Sequence, residues 1–216
     1  MGGFLTKTLR RRLFEHSGTF GSFILANFTV LYFDAETLFV HAGLNEHFAS
    51  MGVDRLNEET IKAIRMKDYR SPFLGAFGPL WTRKMIMDAT NGRCANIRKL
   101  LSSMGAKRIV VGHTPQRSGH VELFCDDSVI AIDVGLSRWM YGNLAALELM
   151  VTSYTSESGV WKDVVMREIT TSDTRRFQTL EESLNDPLLL EELNHAVEEY
   201  YHSSNRNPTE DIVGDL

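Results

Sequence analysis

The feature that most constrains this chain is a pair of apolar strands that each end in a histidine. Ile109-Val110-Val111 runs into Gly112-His113-Thr114-Pro115, and Leu38-Phe39-Val40 runs into His41-Ala42-Gly43-Leu44. Short β-branched or apolar runs bounded by Gly and Pro read as buried strands. Each strand therefore delivers one imidazole to the edge of a sheet, where the chain must turn. A lone strand-end histidine is more often a hydrogen-bonded structural residue. Two on separate strands suit a metal site, because neutral imidazole is the commonest metal ligand and strand ends hold it rigidly.

The segments around these strands alternate between types. Phe4 to Glu15 reads as an amphipathic helix, with Leu5, Leu9 and Leu13 among Arg10, Arg11 and Arg12, stopped near Gly18. Asn27 to Phe33 and Thr37 to His41 read as two strands joined by the turn Asp34-Ala35-Glu36. Asn45 to Tyr69 is helical in part, with Leu56, Ile61, Ile64 and Met66 as packing positions. Ser71 to Arg83 is broken by Gly and Pro and carries large aromatics, the composition of a loop that lines a site. Asn91 to Met104 reads as a helix stopped by Gly105, packing Ile97, Leu100, Leu101 and Met104.

Five strands follow in close order: Arg108 to Gly112, Val121 to Cys125, Val129 to Asp133, Leu144 to Val151 and Val160 to Ile169. Short polar turns separate them, so they read as a mostly antiparallel run with Val160 to Ile169 at an edge. Asn185-Asp186-Pro187 starts a further helix running to about Tyr201, which is expected to dock on the rest, and Ser203 to Leu216 reads as a disordered tail.

Four runs occur in order: Phe39-Val40-His41-Ala42-Gly43-Leu44, Gly78-Pro79-Leu80-Trp81-Thr82-Arg83, Val111-Gly112-His113-Thr114-Pro115-Gln116 and Ile132-Asp133-Val134-Gly135-Leu136-Ser137. Together they resemble the calcineurin-like metallophosphoesterases, and most of all the Shewanella-like protein phosphatases. The resemblance runs from about Ser17 to about Ile169. It implies an α/β (α+β) fold, a partial calcineurin-like αββα sandwich with a mixed or antiparallel sheet and flanking helices. One sheet would come from the strands of this chain, and the other would be largely missing. On this reading 1–170 is the partial phosphoesterase domain, 171–202 a helical extension and 203–216 the tail.

The same resemblance assigns chemistry. It makes His41 and His113 ligands of one of two divalent transition metals (Mn, Fe or Zn), and Arg83 the contact to a phosphate. A planar guanidinium fork suits two phosphate oxygens; a surface arginine stacked on Trp81 is the competing reading. His47, Thr114 and Asp133 are expected as supporting partners, Asp133 and Ser137 chiefly through turn hydrogen bonds. The implied activity is metal-dependent phosphoester hydrolysis of the protein serine/threonine phosphatase type, on a phosphoprotein or a small phosphoester.

The family's GDxHG, GDxxDRG and GNH[ED] motifs are absent, and residues 1–33 contain no Asp. The chain thus carries at most half of a two-metal site and is expected to be weakly active or inactive alone. The alternative is a pseudo-phosphatase acting as a binding or regulatory module. An unknown chain covering the missing half is a further expectation, since uncovered sheet exposes apolar surface.

Composition narrows the rest. Acids cluster after Leu180, where Arg206 is the only Lys or Arg, so the preceding part is mildly basic. The only dense basic cluster is Arg10-Arg11-Arg12, which excludes a readable nucleic-acid groove. No apolar run is long enough to span a bilayer. Cys94 and Cys125 are too few for a disulfide framework, which makes a reducing compartment, and hence the cytoplasm, the default. Met1-Gly2-Gly3-Phe4-Leu5-Thr6 fits the myristoylation pattern and the Arg-rich start a transit peptide, but short patterns recur by chance.

Overall fold

The structure is a computed structural model, and it describes residues 7–15, 17–156, 159–170 and 174–176. Two sheets organise it. The first has five strands in the order β1-β2-β3-β5-β4: β1 Leu31–Asp34, β2 Thr37–Val40, β3 Arg108–Val111, β4 Glu122–Phe124 and β5 Val129–Ala131. The second has three, β6 Ala145–Ser156, β7 Gly159–Thr170 and β8 Thr174–Arg176, in sequential order.

Local chemistry explains the turns. β1 and β2 form an antiparallel hairpin closed by Ala35 and Glu36, both at positive φ (44° and 57°), which matches the right-handed twist of the strands. After β2 the chain crosses over through α3 Glu46–Ala49, α4 Val53–Met66, a short 3-10 turn Pro72–Leu74, α5 Lys84–Thr90 and α6 Cys94–Ser103. It returns parallel to β2, with Val40 beside Val111. In α4 the buried positions Leu56, Thr60 and Ala63 fall on one stripe at helical spacing. α6 ends where Gly105 takes φ 71° and the Gly105 and Ala106 N–H groups bond back to Ser102 and Leu101.

The helices cover one face of the five-stranded sheet. Leu31, Leu38, Ile109, Val111 and Val129 are fully buried there against Leu56, Ile97 and Leu101. Each such side chain contributes about 1.5–3 kcal/mol of transfer free energy. On the opposite face Val110, Ile130 and Leu123 pack against Leu147, Leu149, Val164 and Met166 of β6 and β7. The molecule is thus a mixed α/β structure with a mixed sheet and flanking helices, as the sequence suggests.

Several details differ from the sequence reading. The five later strands do not make one antiparallel run: three complete the first sheet and two start the second. β3 runs parallel to β5, because β4 turns out to the edge instead of lying between them. β7 is not an edge strand, since β8 pairs with its other side. α1 Lys7–Phe14 falls within the expected first helix, whereas α2 Thr19–Asn27 occupies a stretch to which the sequence reading gives no element, and β1 starts at Leu31 and not at Asn27. α5 fills the stretch between the aromatic loop and the helix expected from Asn91, to which the sequence reading gives no element, and Met66, expected to pack, is 69% exposed at the last turn of α4.

Cys94 and Cys125 are joined by a disulfide, contrary to the thiols of a reducing default. It ties the first residue of α6 to the β4–β5 turn, with the two Cα atoms 5.2 Å apart. No described helix is long and apolar enough to cross a membrane. The myristoylation-like run Met1–Thr6, the helix expected from Asn185 to about Tyr201 and the tail from Ser203 lie outside the described residues.

Candidate functional site

Parallel pairing of β2 and β3 brings the two strand-end histidines together. His41 follows Val40 directly, and His113 comes two residues after its partner Val111. Their ring centroids are 5.1 Å apart. Gly112 N–H donates to the His41 carbonyl at 2.8 Å, locking the two strand ends to each other. A Cβ at position 112 would meet that same oxygen at 3.3 Å, so the close approach favours glycine.

His113 itself is held in an uncommon conformation. Its φ is 63°, and Thr114 N–H donates across it to the Gly112 carbonyl at 2.7 Å, making a γ-turn of the strained, positive-φ kind. Strain of this sort persists only where the surroundings impose it. Here the surroundings are Arg83 and Trp81. Arg83 Nη1 donates to the His113 carbonyl at 2.9 Å and to Thr114 Oγ1 at 3.3 Å. Trp81 stands edge-on to the His113 ring, centroids 5.3 Å apart.

The loop that carries Trp81 and Arg83 is built to reach this point. Trp81 and Thr82 N–H groups both bond the Gly78 carbonyl, and the Pro79 carbonyl accepts from Ala42 N–H beside His41. A side chain at Gly78 would collide with the Phe73 carbonyl at 2.5 Å. Thr82 Oγ1 then accepts from Lys84 N–H and starts α5. The guanidinium of Arg83 is exposed, and its Nη1 is committed to the His113 turn.

Electrostatics favour neutral imidazole. The pKa of His113 is lowered first by burial, then by the positive charge of Arg83 and the neighbouring His41; a hydrogen bond to the Trp81 backbone and the charge of Asp133 oppose this. A neutral ring bonded at one nitrogen to a backbone carbonyl presents its other nitrogen as a ligand, the usual arrangement at metal sites.

The remaining residues named from sequence are placed as follows. Thr114 touches Arg83, as above. Asp133 accepts from Gly135 N–H through Oδ1 at 3.0 Å, and its carbonyl accepts from Gln116 N–H at 2.7 Å, tying two site loops together. Ser137 Oγ accepts from Trp139 N–H in the following turn. His47 stands edge-on to Phe48 on α3 and lines a separate hollow of about 350 Å³ with Lys84 and Asp88.

His120 has a partner that spacing could not reveal. Its Nδ1 lies 3.1 Å from Glu168 Oε2, and Glu168 Oε1 accepts from Val121 N–H at 2.6 Å. Glu168 is fully buried on β7 and strikes across from the second sheet to the segment following His113. Among the described residues, no group of three or more His, Cys, Asp or Glu side chains is arranged to hold a metal ion. His41 and His113 therefore fit a metal as a pair of ligands, short of the three or more that a closed or catalytic site needs.

No family model matches the chain. Over 142 residues it is 30% identical to an uncharacterized protein of Schizosaccharomyces pombe, which covers 62% of this chain and 42% of that one. It is 34% identical over 109 residues to Shewanella-like protein phosphatase 2 of Arabidopsis thaliana, covering 48% of this chain and 28% of the relative. For Shewanella-like protein phosphatase 1 of Plasmodium berghei the identity is 27% over 110 residues, covering 46% and 30%.

In fold, the chain is similar to a mutant of a cold-active protein tyrosine phosphatase (TM-score 0.60, 16% identity). It is also similar to the cold-active protein-tyrosine phosphatase of a psychrophilic Shewanella species (TM-score 0.58, 18% identity). Each match covers 79% of this chain and 50% of the solved one. The chain spans less than half the length of the curated relatives it matches. Over that part it is similar in sequence to Shewanella-like protein phosphatases.

Proposed function

We propose that this chain contributes to a metal-dependent phosphoester hydrolase that acts on phosphoproteins. The observation that carries the reading is the pair His41 and His113, at the ends of adjacent parallel strands with rings 5.1 Å apart. Its support lies in the phosphatase names of the curated relatives and in the phosphatase fold. A divalent metal, when bound, would supply Lewis acidity toward a phosphoryl oxygen and lower the pKa of bound water. His41 and His113 would hold it from one side. Arg83, whose Nη1 fixes the His113 turn, has N–H groups beyond those it spends there and would meet phosphate oxygens with them.

The serine/threonine preference rests on the motif resemblance, whereas the solved structures of similar fold are named for tyrosine phosphatase activity. A second reading is favoured by one observation: the described residues assemble two metal-ligating side chains and not three. Such a chain binds metal weakly by itself and serves as a binding or regulatory module.

One experiment separates these readings. Manganese-dependent hydrolysis of a generic aryl phosphate is measured for the chain and for His113→Ala, followed by phosphotyrosine and phosphothreonine peptides. Turnover that the substitution abolishes establishes the hydrolase and its preference. Absence of turnover in both, with retained binding of a phosphopeptide, establishes the binding module.

A further inference from the structure

The turn that follows Asp133 gathers large apolar side chains on a short exposed segment. Leu136 is 59% exposed, Trp139 99%, Met140 52%, Tyr141 47% and Leu144 57%. Single apolar residues scattered over a surface are normal, but a contiguous cluster marks a contact surface.

A closed turn imposes this exposure. The Gly135 carbonyl accepts from the N–H groups of Tyr141 and Gly142, and the Ser137 carbonyl from those of Met140 and Gly142. Ser137 Oγ accepts from Trp139 N–H at 3.2 Å, and Asn143 Nδ2 donates to the Val134 carbonyl at 3.0 Å. Tyr141 lies over Gly135, where φ is 72° and a Cβ would meet the ring at 2.5 Å. With its backbone bonded in this way, the turn holds the Trp139 indole clear of the rest of the fold.

The charge around the turn has one sign. Residues 134–147 contain no Asp or Glu, and Arg138 stands beside Trp139. Residues 112–121 also lack acids and supply Arg117. The two segments touch: Gln116 N–H donates to the Asp133 carbonyl at 2.7 Å, and a Cβ at Gly119 would meet Asn143 Nδ2 at 2.7 Å. Both arginines are exposed, and neither forms an ion pair among the described residues.

Shape decides what such a surface receives. Small ligands and most peptides bury themselves in pockets and grooves. An indole that is 99% exposed is instead a convex knob. A protruding Trp with aliphatic neighbours and flanking arginines matches a lipid interface. There the indole sits at headgroup depth, aliphatic side chains reach the acyl boundary, and guanidinium groups meet anionic headgroups.

We infer that the turn 135–143 docks on the surface of an anionic lipid bilayer, with Leu136, Trp139 and Met140 entering the interface and Arg117 and Arg138 pairing with headgroup phosphates. The contact needs no spanning helix. It is also independent of the phosphatase reading, since it concerns where the chain is held and not which bond it breaks.

The test is co-sedimentation of the full chain with vesicles of phosphatidylcholine alone and of phosphatidylcholine containing about 30% phosphatidylserine. Partition onto the anionic vesicles is expected to exceed that onto the neutral ones at least about tenfold, and to fall as salt rises. Trp139→Ala is expected to lower it at least about tenfold, and Arg117→Gln and Arg138→Gln about fivefold each. Tyr69→Ala, 79% exposed on a different loop, leaves it unchanged. Because Trp139 packs on nothing, Trp139→Ala is expected to keep the urea midpoint of the parent. A second measurement reads the unsubstituted protein: lipids brominated on the acyl chain quench its tryptophan fluorescence, and Trp139→Phe removes that quenching.

No partition onto anionic vesicles, equal partition onto both kinds, or partition that Trp139→Ala leaves intact would each overturn the inference. So would an acidic phosphopeptide that shifts the Trp139 emission while vesicles do not, an outcome that would make the turn a platform for a polypeptide.

Discussion

Arg83 holds His113 by its backbone: Nη1 donates to the carbonyl of the one residue that carries φ 63° at the end of β3. The arginine and the histidine thus form a unit in which one side chain fixes the turn that aims the other. Arg83 also adds positive charge beside the imidazole, which holds the His113 pKa down together with burial, the larger cause.

The Arg83→Ala variant should therefore show two effects at once. Without the guanidinium, the His113 pKa rises toward its ordinary value, which pH titration of the ring C–H resonance in NMR reads directly. The loosened turn should also weaken zinc or manganese binding about tenfold, the scale seen when a metal ligand loses its outer support. An unmoved resonance and unchanged affinity would mean that the arginine acts on neither the turn nor the ring.

The fold and site were legible in the sequence to different depths. The strand-end histidines were readable because β-branched runs, a glycine and a turn signal converge on each. Their meeting depends on parallel pairing of β2 with β3, which the strand pattern does not show; only the family resemblance places the two histidines in one site. α2 was missed because Phe20, Phe23, Ile24 and Leu25 give it apolar residues on most of its surface and no clear helical stripe. The split into two sheets was not readable either, since periodicity within a strand says nothing about which neighbour it pairs with. Glu168 carries no signal of its own within the strand read over Val160 to Ile169, and only tertiary packing makes it a buried strut.

That strut yields a stability prediction. Glu168 accepts the Val121 N–H at 2.6 Å in a fully buried setting, and Glu168→Ala removes that acceptor. The expected loss is about 1–3 kcal/mol, read as a lower midpoint in urea unfolding. Glu168→Gln keeps an acceptor of the same length and should lose less. Equal losses for the two substitutions would show that side-chain volume, and not the hydrogen bond, is what the site requires.

The Cys94–Cys125 bridge spans a sequence separation of 31 and pins α6 to the β4–β5 turn. Closing a loop of that length in the unfolded chain stabilises the fold by about 3.7 kcal/mol on the chain-entropy account. Reduction with dithiothreitol, or the paired Cys94→Ser and Cys125→Ser substitution, should accordingly lower Tm. Mass spectrometry of the alkylated native protein checks the bond itself; two alkylated cysteines without reductant would contradict it.

The β4–β5 turn also predicts a pH effect. Cys125, Asp126 and Asp127 all carry positive φ, a conformation that Asn tolerates well, and burial raises the pKa of Asp127 despite the attraction of Arg108. A folded-state pKa above the unfolded value means that folding favours the protonated carboxyl. The stability linked to it is fully present below the unfolded value of about 3.9 and is lost as pH rises through the folded one. At neutral pH the charged Asp127 is therefore a liability that Asp127→Asn removes. The variant should melt higher than the parent at pH 7, and the difference should shrink as pH falls through the carboxylate range. A gain that stays constant across pH would trace the effect to the left-handed backbone alone.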